Sequence, residues 1–213
     1  MPRTTAMWFA PLAVLTFFAT PAHAADEDTQ LWLSIAANVP LGEAATAIFE
    51  ISPRIREGDD QLLLRASAEA ELAEGVTVNG GMTLVKSAHA QEIRPHQQLN
   101  LVAGPLSIRT RLEERFFSGG DRPQFRLRQR VQLGWKLDTA TQIAGSVEAL
   151  YILRSEVPNG KARMDQWRGE IALKRKLSPH LDASLAYRGN YYPRENAPDR
   201  YSHVPVVSAT WKL

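Results

Sequence analysis

The chain has no cysteine in its 213 residues, so neither disulfides nor thiolate metal sites contribute to its stability or chemistry. Long apolar runs are scarce as well. Beyond the first 24 residues, charged or strongly polar side chains interrupt every apolar stretch. That excludes a bundle of membrane-crossing helices, each of which needs about 20 apolar residues. An excess of one charge is also missing. Lys and Arg total 25 against 23 Asp and Glu, so the pI near 9.0 rests on near balance and no nucleic-acid partner is expected. Past the leader the histidines are His89, His96, His180 and His203. None opens a His-x-Ser pair that would place a base and a nucleophile on one face of a strand, and no two share a metal-ligand spacing. Ser202 and His203 are adjacent, so an extended strand would point them opposite ways. No catalytic residue, metal or cofactor is assigned. Gly119 with Gly120 reads as a turn and not as a phosphate loop.

What is present begins with residues 1–24. Arg3, an apolar run from Met7 to Thr20 and the Ala22-His23-Ala24 ending form a secretory signal peptide, which leaves 25–213 as a single exported domain. Across that domain apolar and polar residues alternate at the period of an extended strand. Runs fall at Gln30–Val39, Ala44–Ser52, Gln61–Leu72, Val76–Lys86, His96–Ala103, Leu106–Phe117, Phe125–Leu137, Thr141–Arg154, Gln166–Leu177, Leu181–Tyr192 and His203–Leu213. Connections alternate strictly between short ones and longer polar ones such as Pro53–Asp60, Ser87–Pro95 and Ser155–Asp165. A transmembrane β-barrel has this rhythm, with tight turns at one rim and loops at the other.

Three further features point the same way. Most runs reach the length that crosses a bilayer when tilted, about 9 to 11 residues. Phe116, Phe117, Phe125, Trp167, Tyr191 and Tyr192 flank the longer loops, while Trp135 and Trp211 lie toward the short turns, which makes two aromatic belts. The apolar face of Leu62–Leu72 carries Ala66, Ala68 and Ala70; lipid fills around small residues, whereas a packed core would be left with voids. The expected architecture is an all-β, antiparallel up-and-down transmembrane barrel of 10 to 12 strands. Eleven runs are counted, and the even parity of bacterial barrels shifts the expectation to ten or twelve. Val207, Ala209, Trp211 and Leu213 alternate to the last residue, as in the closing strand presented to the outer-membrane assembly machinery.

The charges follow the alternation most sharply in LSIRTRLEERFF (Leu106–Phe117) and FRLRQRVQLGWKL (Phe125–Leu137). An arginine facing lipid at the midplane would cost roughly 2 to 4 kcal/mol, so these arginines face the lumen. Their first reading is a ladder of ion pairs that largely fills the barrel, with Glu69, Glu71, Glu113 and Glu170 as partners. The sharper reading is an anion site built from Arg109, Arg111, Glu113, Arg115, Arg126, Arg128, Arg130, Arg168 and Glu170. Glu114 and Gln129 fit less well, because they fall on the lipid face; a bulge near Glu113 or a headgroup-level position for Glu114 would accommodate them.

RPHQQL at Arg94–Leu99, RLEERF at Arg111–Phe116 and FRLRQRV at Phe125–Val131, together with the Leu31-Trp32-Leu33 start, resemble the bacterial family catalogued as domain of unknown function 2490. The resemblance implies an outer-membrane β-barrel without an assigned activity, with His96 where an aromatic is expected. The function expected is a structural or binding role in the cell envelope. Partners would be outer-membrane lipid, lipopolysaccharide and, during insertion, the assembly machinery, and the chain would be a monomer. An outer-membrane lipid hydrolase and a soluble periplasmic lipocalin-like carrier are the alternatives.

Overall fold

The computed structural model describes residues 26–195 and 197–213, so the leader lies outside the described residues. Twelve strands appear: β1 (Asp26–Thr29), β2 (Leu31–Pro40), β3 (Ala45–Ile55), β4 (Gln61–Ala73), β5 (Val76–Ser87), β6 (Gln91–Ala103), β7 (Leu106–Phe117), β8 (Gln124–Lys136), β9 (Thr141–Arg154), β10 (Arg163–Ser178), β11 (Leu181–Tyr192) and β12 (Arg200–Lys212). Each pairs with its sequence neighbour from β2 to β12, and β12 returns to β2 to close the sheet. No sheet edge is left to template association.

Segments β1 and β2 are one stave interrupted at Gln30. Both run parallel to β12 in one register, with Thr29 opposite His203 and Trp32 opposite Val206. The Gln30 amide still donates to the His203 carbonyl at 2.9 Å. The wall therefore has eleven staves. The expected all-β barrel is present, and the direct count of eleven runs holds while the adjustment to an even number does not. An odd number of up-and-down strands brings first and last together pointing the same way, so the seam is parallel and every other pair is antiparallel.

Proline accounts for the largest boundary difference. The run expected from His96 begins at Gln91, and Pro95 sits within β6 opposite Met82. Pairing with β7 lapses at Arg94 and Pro95, because proline has no N–H for the ladder. The loop expected at Ser87–Pro95 shrinks to residues 88–90. At the same rim β3 runs through Pro53 to Ile55 instead of stopping at Ser52. Except at 88–90, loop length stays segregated by rim even so. One rim carries turns of two to four residues, and the other carries 56–60, 88–90, 118–123, 155–162 and 193–199. The short turns are made locally: the Asp138 carboxylate accepts from the Ala140 and Thr141 amides at 2.7 and 2.6 Å. Those bonds hold its carboxyl below the usual range.

The outer face is apolar. Ile35, Phe49, Ile51, Met82, Leu133, Ile171 and Leu185 stand exposed on it, as do Phe116, Trp167 and Tyr191 near the long-loop rim and Trp135 and Trp211 near the other. Of the expected belts, Phe117 and Tyr192 are corrected. Phe117 shares its face with Arg115, whose guanidinium covers its ring at 4.6 Å, and Tyr192 is covered by Arg200 at 4.3 Å. The β7–β8 ladder runs without a bulge, so Glu114 points outward opposite Phe125 at the long-loop rim. Gln129 is partnered on that face, accepting from the Thr110 hydroxyl at 2.7 Å.

Gly81 leaves no room for a side chain between β4 and β5: a Cβ there would run into the Ala66 carbonyl and Ser67, while one at Gly145 would meet nothing within 4 Å. Gly81→Val is expected to lower stability by about 1 to 3 kcal/mol and Gly145→Val to leave it nearly unchanged. The urea midpoint, followed by the gel mobility of folded and unfolded barrel, checks the difference.

Candidate functional site

The alternation that makes the exterior apolar sends a charged set inward. Its centre is Arg128 on β8. Nη1 donates to Glu113 of β7 at 2.8 Å and Nη2 to Glu148 of β9 at 2.8 Å, so one guanidinium ties three staves. Arg126 joins Glu113 at 2.6 Å and Asp165 at 2.9 Å. Glu148 also accepts from Arg109 at 2.6 Å and Arg168 at 3.4 Å. Closer to the long loops, Glu92 accepts from Arg94 at 2.8 Å and Arg115 at 2.6 Å. Elsewhere Glu50 takes Arg65 at 2.6 Å, and Glu170 takes Arg188.

The two halves of the lumen differ. In the long-loop half each stave contributes at least one buried inward-facing side chain. Gln30, Trp32, Ser52, Leu63 and Val85 supply one side of this layer. Glu92, Glu113, Arg126, Leu150, Gln166, Asn190 and Val204 complete it. In the short-turn half most inward-facing residues are only partly buried, among them Ser34, Glu50, Arg65, Gln98, Arg109, Arg130, Ser146, Lys174, Ser184, Arg188 and Ser208, although Asn79, Ala144 and Ala172 are buried. A cavity of about 280 Å³ runs from that half up to Trp32, Ser52 and Arg54 in the long-loop half, lined by nine arginines and Lys174 against Glu50, Glu148 and Glu170. The arginine excess is the electrostatic character of the site.

Two of the arginines are uncompensated. Among the described residues neither Arg54 nor Arg130 pairs with a carboxylate. Arg130 donates only to Gln132. Arg54 lies flat on the Trp32 indole at 3.7 Å, and its Nε is buried without an acceptor. Arg188 and Arg168 approach the same ring at 5.0 and 5.6 Å. Arg111 is weakly matched: it lies 3.7 Å from Glu113 and donates to Gln98 at 2.7 Å.

Of the residues expected from the sequence, Arg109, Arg111, Arg128, Arg130, Arg168 and Glu170 line the cavity. Glu113, Arg115 and Arg126 do not; they belong to the buried layer and its ion pairs. The expected carboxylate partners divide in the same way. Glu113 and Glu170 take arginines, whereas Glu69 accepts from Asn100 and Glu71 stands exposed. Glu50, Glu92 and Glu148 hold the arginines instead. Reading the sequence missed Arg54, Arg94, Glu50 and Trp32 as cavity residues. Arg54 follows Pro53 and Arg94 precedes Pro95, so both were assigned to loops. Glu50 sits between Phe49 and Ile51 in a strand with Ile48 on its own face, where the alternation is weak.

Among the described residues, Ser202 and His203 face opposite sides of the wall. Ser202 is buried inward near Gln30, while His203 points outward to the Tyr187 hydroxyl at 2.5 Å. His96 faces Asn79 at 3.0 Å. At the long-loop mouth Lys161, Arg163, Arg194 and Arg200 line a separate vestibule of about 740 Å³ with Asp165 and Glu195.

Comparison with known proteins adds three findings. A sequence profile of the family described as "Protein of unknown function (DUF2490)" matches residues 29–202. An uncharacterized protein of Methylorubrum extorquens is 27% identical over 195 residues, covering 83% of this chain and 85% of its own. Among solved structures, a NanC porin aligns with TM-score 0.54 at 13% identity over 84% of this chain and 91% of that one. A KdgM porin, solved alone and in complex with disordered oligogalacturonate, aligns with TM-score 0.51 at 12% identity over 73% and 81%. At such identities the likeness is one of fold.

The arginine network makes removal of a carboxylate costly, because the guanidiniums it held stay buried without a counter-charge. Glu113→Gln is expected to destabilise the barrel by about 3 to 5 kcal/mol. The double replacement Glu113→Gln with Arg126→Met is expected to recover part of that loss, and denaturant midpoints of the single and double variants measure it.

Proposed function

This chain belongs to the DUF2490 family, and from that premise we propose that it is an outer-membrane β-barrel whose arginine-lined lumen binds an anionic ligand. The membrane location is supported by the inside-out distribution of polarity. Exposed Ile35, Phe49, Met82 and Ile171 face outward while charges face inward, the inverse of a lipocalin-like carrier, whose apolar face lines the interior. The leader expected at residues 1–24 delivers the chain to the envelope, the aromatic girdles meet the two interfaces, and lipid with lipopolysaccharide surrounds a monomeric wall.

The observation that carries the binding role is the charge imbalance of the cavity, nine arginines and a lysine against three lining glutamates with Glu92 and Glu113 behind them. A purely structural ladder would match its charges, since each unmatched guanidinium in a confined lumen is costly. Arg54 and Arg130 are instead left with donors to spare. A carboxylate or phosphate suits those donors, because planar forked guanidiniums bind such oxyanions with charge-assisted hydrogen bonds. A KdgM porin of the same fold was solved with disordered oligogalacturonate, which makes a short acidic saccharide the first probe and phosphate the second.

Two outcomes test this reading. The mature protein should fractionate with the outer membrane and change gel mobility on boiling; recovery from the soluble periplasm would overturn it. Calorimetry with digalacturonate and with its neutral counterpart should show binding of the acid alone, weakening as salt screens the lumen. Arg130→Ala should reduce the affinity about 10- to 100-fold, the worth of one hydrogen bond to a charged group.

A further inference from the structure

We infer that the basic cavity is a blind well, entered only from the short-turn end of the barrel and sealed from the long-loop end, so that the protein captures its anion from one side and does not pass it through. The ligand class rests on the function proposed above; the one-sided access rests on the shape of the lumen.

The seal is the buried layer of the long-loop half. It combines bulk with satisfied polarity. Leu150, Ile152 and Val204 are at most 1% exposed, and apolar groups closing a narrow passage exclude water and ions. Beside them the Glu113 and Glu92 ion pairs occupy the remaining width, each carboxylate held by two arginines at 2.6 to 2.8 Å. The vestibule of Lys161, Arg163, Arg194 and Arg200 lies beyond this layer and shares no lining residue with the well. The well does continue in the other direction. Lys174, Ser184 and Ser208 line both the cavity and a wider space of about 840 Å³ at the short-turn mouth. Lys174 stands at that junction, Arg130 lines the cavity as well, and Trp32, Ser52 and Arg54 bound it on the long-loop side. The path is net positive in both spaces, with Lys136, Lys174, Arg175 and Lys176 against Asp138 and Asp182 at the mouth and the arginine excess in the cavity, where Arg54 and Arg130 keep free donors. In the proposed orientation the short turns are periplasmic, so the anion would be drawn from the periplasm.

The absence of native cysteine makes the test direct. Single-cysteine variants of the folded protein in detergent, each first shown to retain heat-modifiable mobility, are treated with a small sulfonate-bearing methanethiosulfonate. Ser208→Cys in the well should react about tenfold faster, or more, than Ser202→Cys in the seal, where reaction waits on local opening. In planar bilayers the unmodified protein should carry no steady current, and the double variant Leu150→Gly with Val204→Gly should open an anion-selective one. Equal labelling of the two positions, an inert Ser208→Cys or a steady current through the unmodified protein would each overturn the blind well. If the labelling and conductance follow the expected pattern while calorimetry finds no anion bound, the one-sided well stands and the anion-binding function fails.

Discussion

Arg128 is the interaction on which the interior depends. It is a single fork between two carboxylates on the neighbouring staves, Glu113 and Glu148. Because those carboxylates also hold Arg126, Arg109 and Arg168, the hub uses the acid supply of the central staves on a few residues. The remaining arginines are then short of partners. Buried ion pairs are weak evidence for net stability, since desolvation offsets much of their attraction. What this hub does is distribute charge: it pairs Arg126 and Arg128 in the buried layer and leaves the cavity below with an excess of arginine. Seal and well are two consequences of one allocation of carboxylates.

The parallel seam is the second constraint. Eleven staves joined by hairpins must meet in the same direction, and the slanted bonds between β2 and β12 accept that geometry at a small cost in pairing strength. The seam also positions the site. It sets Trp32 opposite Val206, two residues from Val204 of the seal, and the adjoining β2–β3 ladder brings Arg54 to the same indole.

Much of this was legible from alternation. In LSIRTRLEERFF and FRLRQRVQLGWKL every second residue is charged, the period of a strand assigns those residues to one face, and the cost of arginine in lipid decides which face. Six of the nine expected site residues accordingly line the cavity. Where alternation was read through proline it failed. Pro53 and Pro95 look like strand ends, yet both lie in staves, because a proline at a lapse in the ladder costs no donor. Arg54 and Arg94 were lost with them. Parity fails for a different reason: even strand numbers are a habit of bacterial barrels, and the parallel β2–β12 closure admits an odd one.

By itself the sequence determined which face of each strand meets lipid and which meets the lumen, the up-and-down order of the staves and the rim that bears the loops. These follow from a period of two and from turn chemistry, both local properties. Only the tertiary structure decided which carboxylate meets which arginine, that the wall closes with a parallel seam, and that one half of the lumen is filled. Those outcomes depend on stagger between staves and on side chains from opposite walls meeting across the barrel, distances that no local pattern encodes.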